Sequence, residues 1–201
     1  MKHNPYIGPR PYGRGEGNFF GRDREGKELA WLILAERAVL FYAQSGAGKT
    51  SLLNARVIPI LEEKGMHVLP VARVSGTPPA SINPEQVDNV FVYSALLDLA
   101  AETDLAPEDL LKHTLLSYLQ AHAISPSLPD HQQPAEQPMI VSNQHPVSSF
   151  QQPVLLIFDQ FEEIATTHRA HWQEAEGFFR QVREVIDALP GLGVLFVLRE
   201  D

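Results

Sequence analysis

Apolar residues recur along this chain in two periods, and their alternation lays out most of its elements. Three short unbroken apolar runs read as buried strands: Val39-Leu-Phe-Tyr42, Val154-Leu-Leu-Ile-Phe158 and Gly193-Val-Leu-Phe-Val-Leu198. His67-Val-Leu-Pro-Val-Ala-Arg73 reads as a further strand, and its Pro70 points to a sheet edge or a bulge. Between the strands the spacing turns helical. Asp23 is placed to cap a first helix with Leu29, Leu32 and Ile33 on its apolar face and Glu36 at the edge. A second helix runs from Thr50 to about Ile58, and Pro59, which has no N–H to donate, predicts a kink or break there. Two more lie between Asn89 and Ala123. One carries Val90, Phe91, Ser94, Leu97 and Leu99; the other starts near Pro107 and carries Leu110, Leu111, Leu115, Tyr118 and Leu119. The clearest helix spans Thr167 to Leu189, with Trp172, Ala175, Phe178, Phe179, Val182, Ile186 and Leu189 on one face and Pro190-Gly191 ending it.

Two stretches break this pattern. Residues 1–22 form an arm whose prolines and glycines forbid a helix, while Tyr6, Ile7 and Tyr12 give it something to bury. From about 124 to 153, Pro126, Pro129, Pro134, Pro138 and Pro146 sit among Gln, Ser and His, which reads as a mobile insertion. The core pattern resumes directly after it, so residues 23–201 read as one domain. With 201 residues, 44% of them hydrophobic, the chain is long enough for one substantial core. A net charge of -9 argues against a general nucleic-acid binder. Cys is absent, which removes disulfides and thiolate metal sites and suits a cytoplasmic setting. No apolar run is long enough to span a bilayer, so no membrane partner is expected.

The candidate chemistry begins where the first strand ends. Ala43-Gln-Ser-Gly-Ala-Gly-Lys-Thr50 fits the phosphate-binding pattern G-x-x-x-x-G-K-[ST] at every position but the first. Gly46 and Gly48 allow successive backbone N–H groups to turn inward around phosphate oxygens. Lys49 offers a point charge to the β- and γ-phosphates, and the Thr50 hydroxyl can ligate Mg²⁺. The nucleotide-binding stretch is therefore Ser45, Gly46, Ala47, Gly48, Lys49, Thr50 and Ser51. Asp159 closes the apolar run 154–158, as an acid for Mg²⁺ does at the carboxyl edge of a parallel sheet. Glu162 and Glu163, just beyond, are candidates for polarising an attacking water; acids at a helix start also complement its dipole without any catalytic role. His168 and His171 stand three apart, but no third metal ligand accompanies them, and they read as surface histidines.

Taken together, Asn4-Pro-Tyr-Ile-Gly-Pro-Arg-Pro-Tyr12, Phe19-Phe-Gly-Arg22, the phosphate loop and Asp159-Gln-Phe-Glu-Glu163 resemble the STAND class of signal-transduction ATPases. The similarity is to its bacterial novel STAND branch, related to the NACHT and AAA+ ATPases. The resemblance implies an α/β P-loop fold with a mostly parallel sheet flanked by helices, in the order 5-1-4-3-2. It implies that Phe20, Gly21 and Arg22 hold adenine, and that Arg199, at the end of the last strand, senses the γ-phosphate. It also implies ATP or ADP with Mg²⁺ as ligands, slow hydrolysis as a switch in bacterial defence or stress signalling, and self-association through the NTPase module. A fifth strand and C-terminal sensor or effector regions would lie outside these residues, leaving Val39 to Tyr42 as an apolar edge. Gln160 departs from the many related ATPases in which a water-orienting Glu follows the aspartate at once. An amide can orient water but cannot take its proton. The similar NACHT ATPases also place acids at the later positions, and the resemblance thus implies Glu163 as the first candidate base and Glu162 as the second. A non-hydrolysing nucleotide-binding scaffold is the alternative; a GTPase lacks its Asn-Lys-x-Asp motif here.

Overall fold

The fully apolar run 154–158 lies at the centre of the sheet because both of its faces find helices to pack against. The computed structural model describes residues 12–13, 21–123, 152–167 and 172–200. Its elements are α1 (Asp23–Ala35), β1 (Ala38–Gln44), α2 (Lys49–Leu52), a π turn (Leu53–Val57), α3 (Ile58–Glu63) and β2 (His67–Val68). A 3₁₀ turn (Pro84–Gln86), α4 (Val90–Leu99), α5 (Pro107–Leu110), α6 (Leu115–Tyr118) and a second π turn (Leu119–Ala123) follow. Beyond the predicted insertion come β3 (Val154–Phe158), α7 (Glu163–Thr166), α8 (Trp172–Ala188) and β4 (Leu192–Glu200). The four strands are all parallel, in the order β1-β4-β3-β2. That is the order the resemblance implies for strands one to four.

Side chains of a strand alternate between faces, and β3 divides the core accordingly. Val154, Leu156 and Phe158 join Phe91, Leu96, Phe178 and Val185 on the side of α4 and α8. Leu155 and Ile157 join Ile33, Leu52, Ile58 and Leu61 on the side of α1 to α3. Each such buried side chain contributes about 1.5–3 kcal/mol relative to exposure. β1 pairs with β4 among the described residues, and its Leu40 and Tyr42 are exposed.

Several elements differ from the sequence reading. Asp23 does not cap α1: the cap position is Arg22, no side-chain bond is made there, and Asp23 instead pairs with Arg56 at 2.7 Å. Leu32, expected on the apolar face, is exposed. β2 is only two residues long because Pro70 cannot extend the ladder, yet contact with β3 resumes at Ala72, which bridges Phe158. The predicted break at Pro59 takes the form of the π turn before it, which accommodates the missing N–H. The helix expected from Pro107 is split, since Thr114 builds a capping box with Ser117 and starts α6 afresh. α8 is described from Trp172; its Phe178 and Val182 are buried, whereas Trp172 and Phe179 are 68% and 48% exposed. Residues 124–151 of the predicted insertion, Tyr6, Ile7 and Phe20 of the arm, His168 and His171 lie outside the described residues.

Candidate functional site

Parallel strands end together, so β1 and β3 deliver the phosphate loop and Asp159 to the same edge of the sheet. In the loop, Gly46 and Gly48 take φ of +74° and +72°, the left-handed region that residues with a Cβ rarely adopt. Ser45, Gly46 and Ala47 are exposed, and the helical run begins at Lys49 with the Leu52 N–H bonded to the Gly48 carbonyl at 2.8 Å. The Lys49 ammonium donates to the carbonyls of Ala43 at 2.7 Å and Gln44 at 3.2 Å, so two of its three donors tie it over the loop. Ala43, where the pattern calls for glycine, is simply the penultimate residue of β1.

Thr50 and Asp159 meet directly. The Thr50 hydroxyl donates to Oδ2 of Asp159 at 3.0 Å, while Oδ1 accepts the Gln160 N–H at 2.9 Å. Asp159 is 3% exposed. A hard cation such as Mg²⁺ takes oxygen ligands at about 2.1 Å, so two adjacent ligands of its octahedron stand about 3 Å apart. The Thr50–Asp159 pair has that spacing and that chemistry. Among the described residues no group of three His, Cys, Asp or Glu side chains could enclose a metal ion. A cation here would therefore draw little from the protein and the rest from phosphate and water, which is how Mg²⁺ is usually bound.

The turn after Asp159 is anchored by an aromatic cluster. The Phe161 ring is buried 4.7 Å from that of Phe196 and 5.8 Å from that of Phe178, and its N–H donates to the Val197 carbonyl at 2.9 Å. Gln160 takes φ of +57° to make the turn, an uncommon conformation for a residue with a side chain. Past it the two acids diverge. Glu162 accepts the backbone N–H of Arg199 at 2.9 Å, joining the turn to the end of β4. Glu163 accepts the Ser75 hydroxyl instead, from the segment that follows β2.

The remaining candidates surround the loop. Arg22 reaches the loop itself: its guanidinium donates to the Ala47 carbonyl at 2.5 Å and to Glu25. Gly21, next to it, has φ of +89°. Ser51 faces the arm, its hydroxyl accepting the Tyr12 N–H at 3.2 Å, and Asn54 donates to the Tyr12 carbonyl at 3.0 Å. Sequence reasoning gave no role to Ser75, Phe161 or Asn54. Of these, Ser75 had a signal, because it closely follows a predicted strand at the carboxyl edge where ligands bind.

A family model described as novel STAND NTPase 1 matches residues 5–201. No curated protein matches the chain. Among solved structures, the ORC2 protein of Aeropyrum pernix, determined as ADPNP–ADP complexes, is similar at a TM-score of 0.49 and 18% identity. That similarity covers 94% of this chain and 43% of the ORC2 chain. With the family match running over the arm, the phosphate loop and all four strands, this chain belongs to the novel STAND NTPase family.

Proposed function

We propose that this domain binds ATP with Mg²⁺ and hydrolyses it slowly, as a regulatory switch within a signalling protein. The observation that carries the reading is the convergence of Lys49, Thr50 and Asp159 at one sheet edge beside two left-handed glycines. Lys49 and the loop N–H groups from Ser45 to Ser51 hold the phosphates. Thr50 and Asp159 hold Mg²⁺, which when bound withdraws charge from the phosphate oxygens. Glu163 accepts the proton of the attacking water, with Glu162 as the reserve, and the Arg199 side chain offsets charge developing on the γ-phosphate. Each acid accepts one donor, Glu162 the Arg199 N–H and Glu163 the Ser75 hydroxyl, and Glu163 is ranked first on the family resemblance. Phe20, Gly21 and Arg22 hold adenine, and copies of the domain associate through the NTPase module.

Titration calorimetry with ATP and Mg²⁺, paired with phosphate release, tests this. Binding with slow release supports the switch; binding without any release supports a scaffold that works through assembly alone. Gln160, an amide directly after Asp159, is the feature that favours this second reading.

A further inference from the structure

A buried hydroxyl within an apolar helix face needs partners, and on α4 Ser94 finds both of them on one short segment. It is 2% exposed among Phe91, Ala95 and Leu96. Its hydroxyl donates to the Arg73 carbonyl at 2.9 Å and accepts the Gly76 N–H at 2.6 Å. One helical turn further on, Asp98 accepts the Arg73 N–H at 2.7 Å. A Cβ at position 76 would stand 2.5 Å from the Ser94 oxygen, so the close approach requires glycine there. Val74 is fully buried. Ser75 is thus pinned on both sides by α4, and its hydroxyl donates to Oε2 of Glu163.

We propose that Ser75 is a positioning residue for the Glu163 carboxylate, and that Ser94 holds Ser75 in place to act so. The inference rests on the reading of Glu163 as the base. Glu163 opens a helix of one turn and has three side-chain torsions to fix before its carboxylate can meet a water. One donor on Oε2 fixes them and leaves Oε1 to accept the proton. Because the donor comes from a segment bonded to α4, the placement of the base depends on a helix that supplies no ligand to the loop.

The test is phosphate release from Mg²⁺·ATP by the 201-residue chain and its Ser75→Ala, Ser75→Thr, Ser94→Ala and Glu163→Gln variants. Losing a hydrogen bond to a charged group should lower kcat in Ser75→Ala about tenfold while KM and ATP affinity stay within about twofold. Ser75→Thr keeps the hydroxyl and should recover most of the rate. Ser94→Ala, checked for folding by its thermal transition, should lower kcat in the same way. In the Glu163→Gln background Ser75→Ala should add no further loss. A wild-type kcat in Ser75→Ala, or a loss of affinity as large as the loss of rate, overturns the positioning role. If that occurs while Glu163→Gln is slow, only the role of Ser75 falls. A Glu163→Gln variant as fast as wild type removes the base assignment and this inference with it.

Discussion

The Thr50 hydroxyl donates to the Asp159 carboxylate at 3.0 Å, joining residues 109 apart in the sequence, one in α2 behind the phosphate loop and the other directly after β3. β1 and β3 are separated only by β4, so the sheet sets the frame of this distance and the phosphate loop between β1 and α2 completes it. Asp159→Ala should therefore abolish the Mg²⁺-dependent part of ATP binding and leave the Mg²⁺-independent part near wild type. Calorimetry with and without Mg²⁺ separates the two, and equal losses in both would remove the metal role.

Lys49 is the loop's own cation, and charge-assisted hydrogen bonds of its kind are worth about 1.5–3 kcal/mol each. Lys49→Ala should weaken ATP binding by about ten- to a hundredfold or more. Unchanged affinity by calorimetry would contradict the phosphate-loop assignment.

Phe161 carries the turn into the core. Phe161→Ala should destabilise the domain by about 3–5 kcal/mol through loss of its contacts with Phe196 and Phe178, and Phe161→Leu by less. Urea unfolding measures this. A destabilisation under about 1 kcal/mol would mean that the turn is held by its backbone bonds alone.

The arm is tied to the helix behind the loop through Tyr12, Ser51 and Asn54. Deleting residues 1–22 should reduce discrimination between ATP and GTP more than it reduces binding of triphosphate as such. Competition binding with both nucleotides decides it, and equal losses would place the adenine contacts elsewhere.

Asp98 gives the fold a pH dependence of known sign. Burial raises its pKa above the ordinary 3.8, and the Arg73 N–H offsets this only in part. The folded state then keeps the proton to higher pH than the unfolded chain, so this group's contribution to stability falls as pH rises through that window. Relative to Asp98→Asn, the wild type should gain stability as pH is lowered from neutrality towards 4. Urea midpoints across that range check it; a wild type that loses stability relative to Asp98→Asn on acidification would reverse the sign.

How much was legible follows from where each signal resides. β3 and β4 were readable because their apolar runs are buried on both faces. The loop and Asp159 were readable because their chemistry restricts residue type. β2 was overextended, since periodicity sees Val71 and Ala72 but not the ladder that Pro70 interrupts. The break before α6 was hidden because Thr114 and Ser117 interrupt the helix through capping bonds while the apolar spacing runs on. The bonds of Ser75 and Ser94 were hidden for a different reason, although the place of Ser75 just after a predicted strand marked the position itself. Their bonds join a segment after β2 to α4 and α7, and serine in an irregular stretch carries no periodic mark.

The proposed hydrolysis of ATP with Glu163 as the base is decided by single-turnover phosphate release with excess enzyme and Mg²⁺. Glu163→Gln should bind ATP as wild type does but release phosphate about a hundredfold more slowly. Wild-type single-turnover hydrolysis by the Glu162→Gln, Glu163→Gln double variant would contradict it and leave Gln160 as the residue that positions the water.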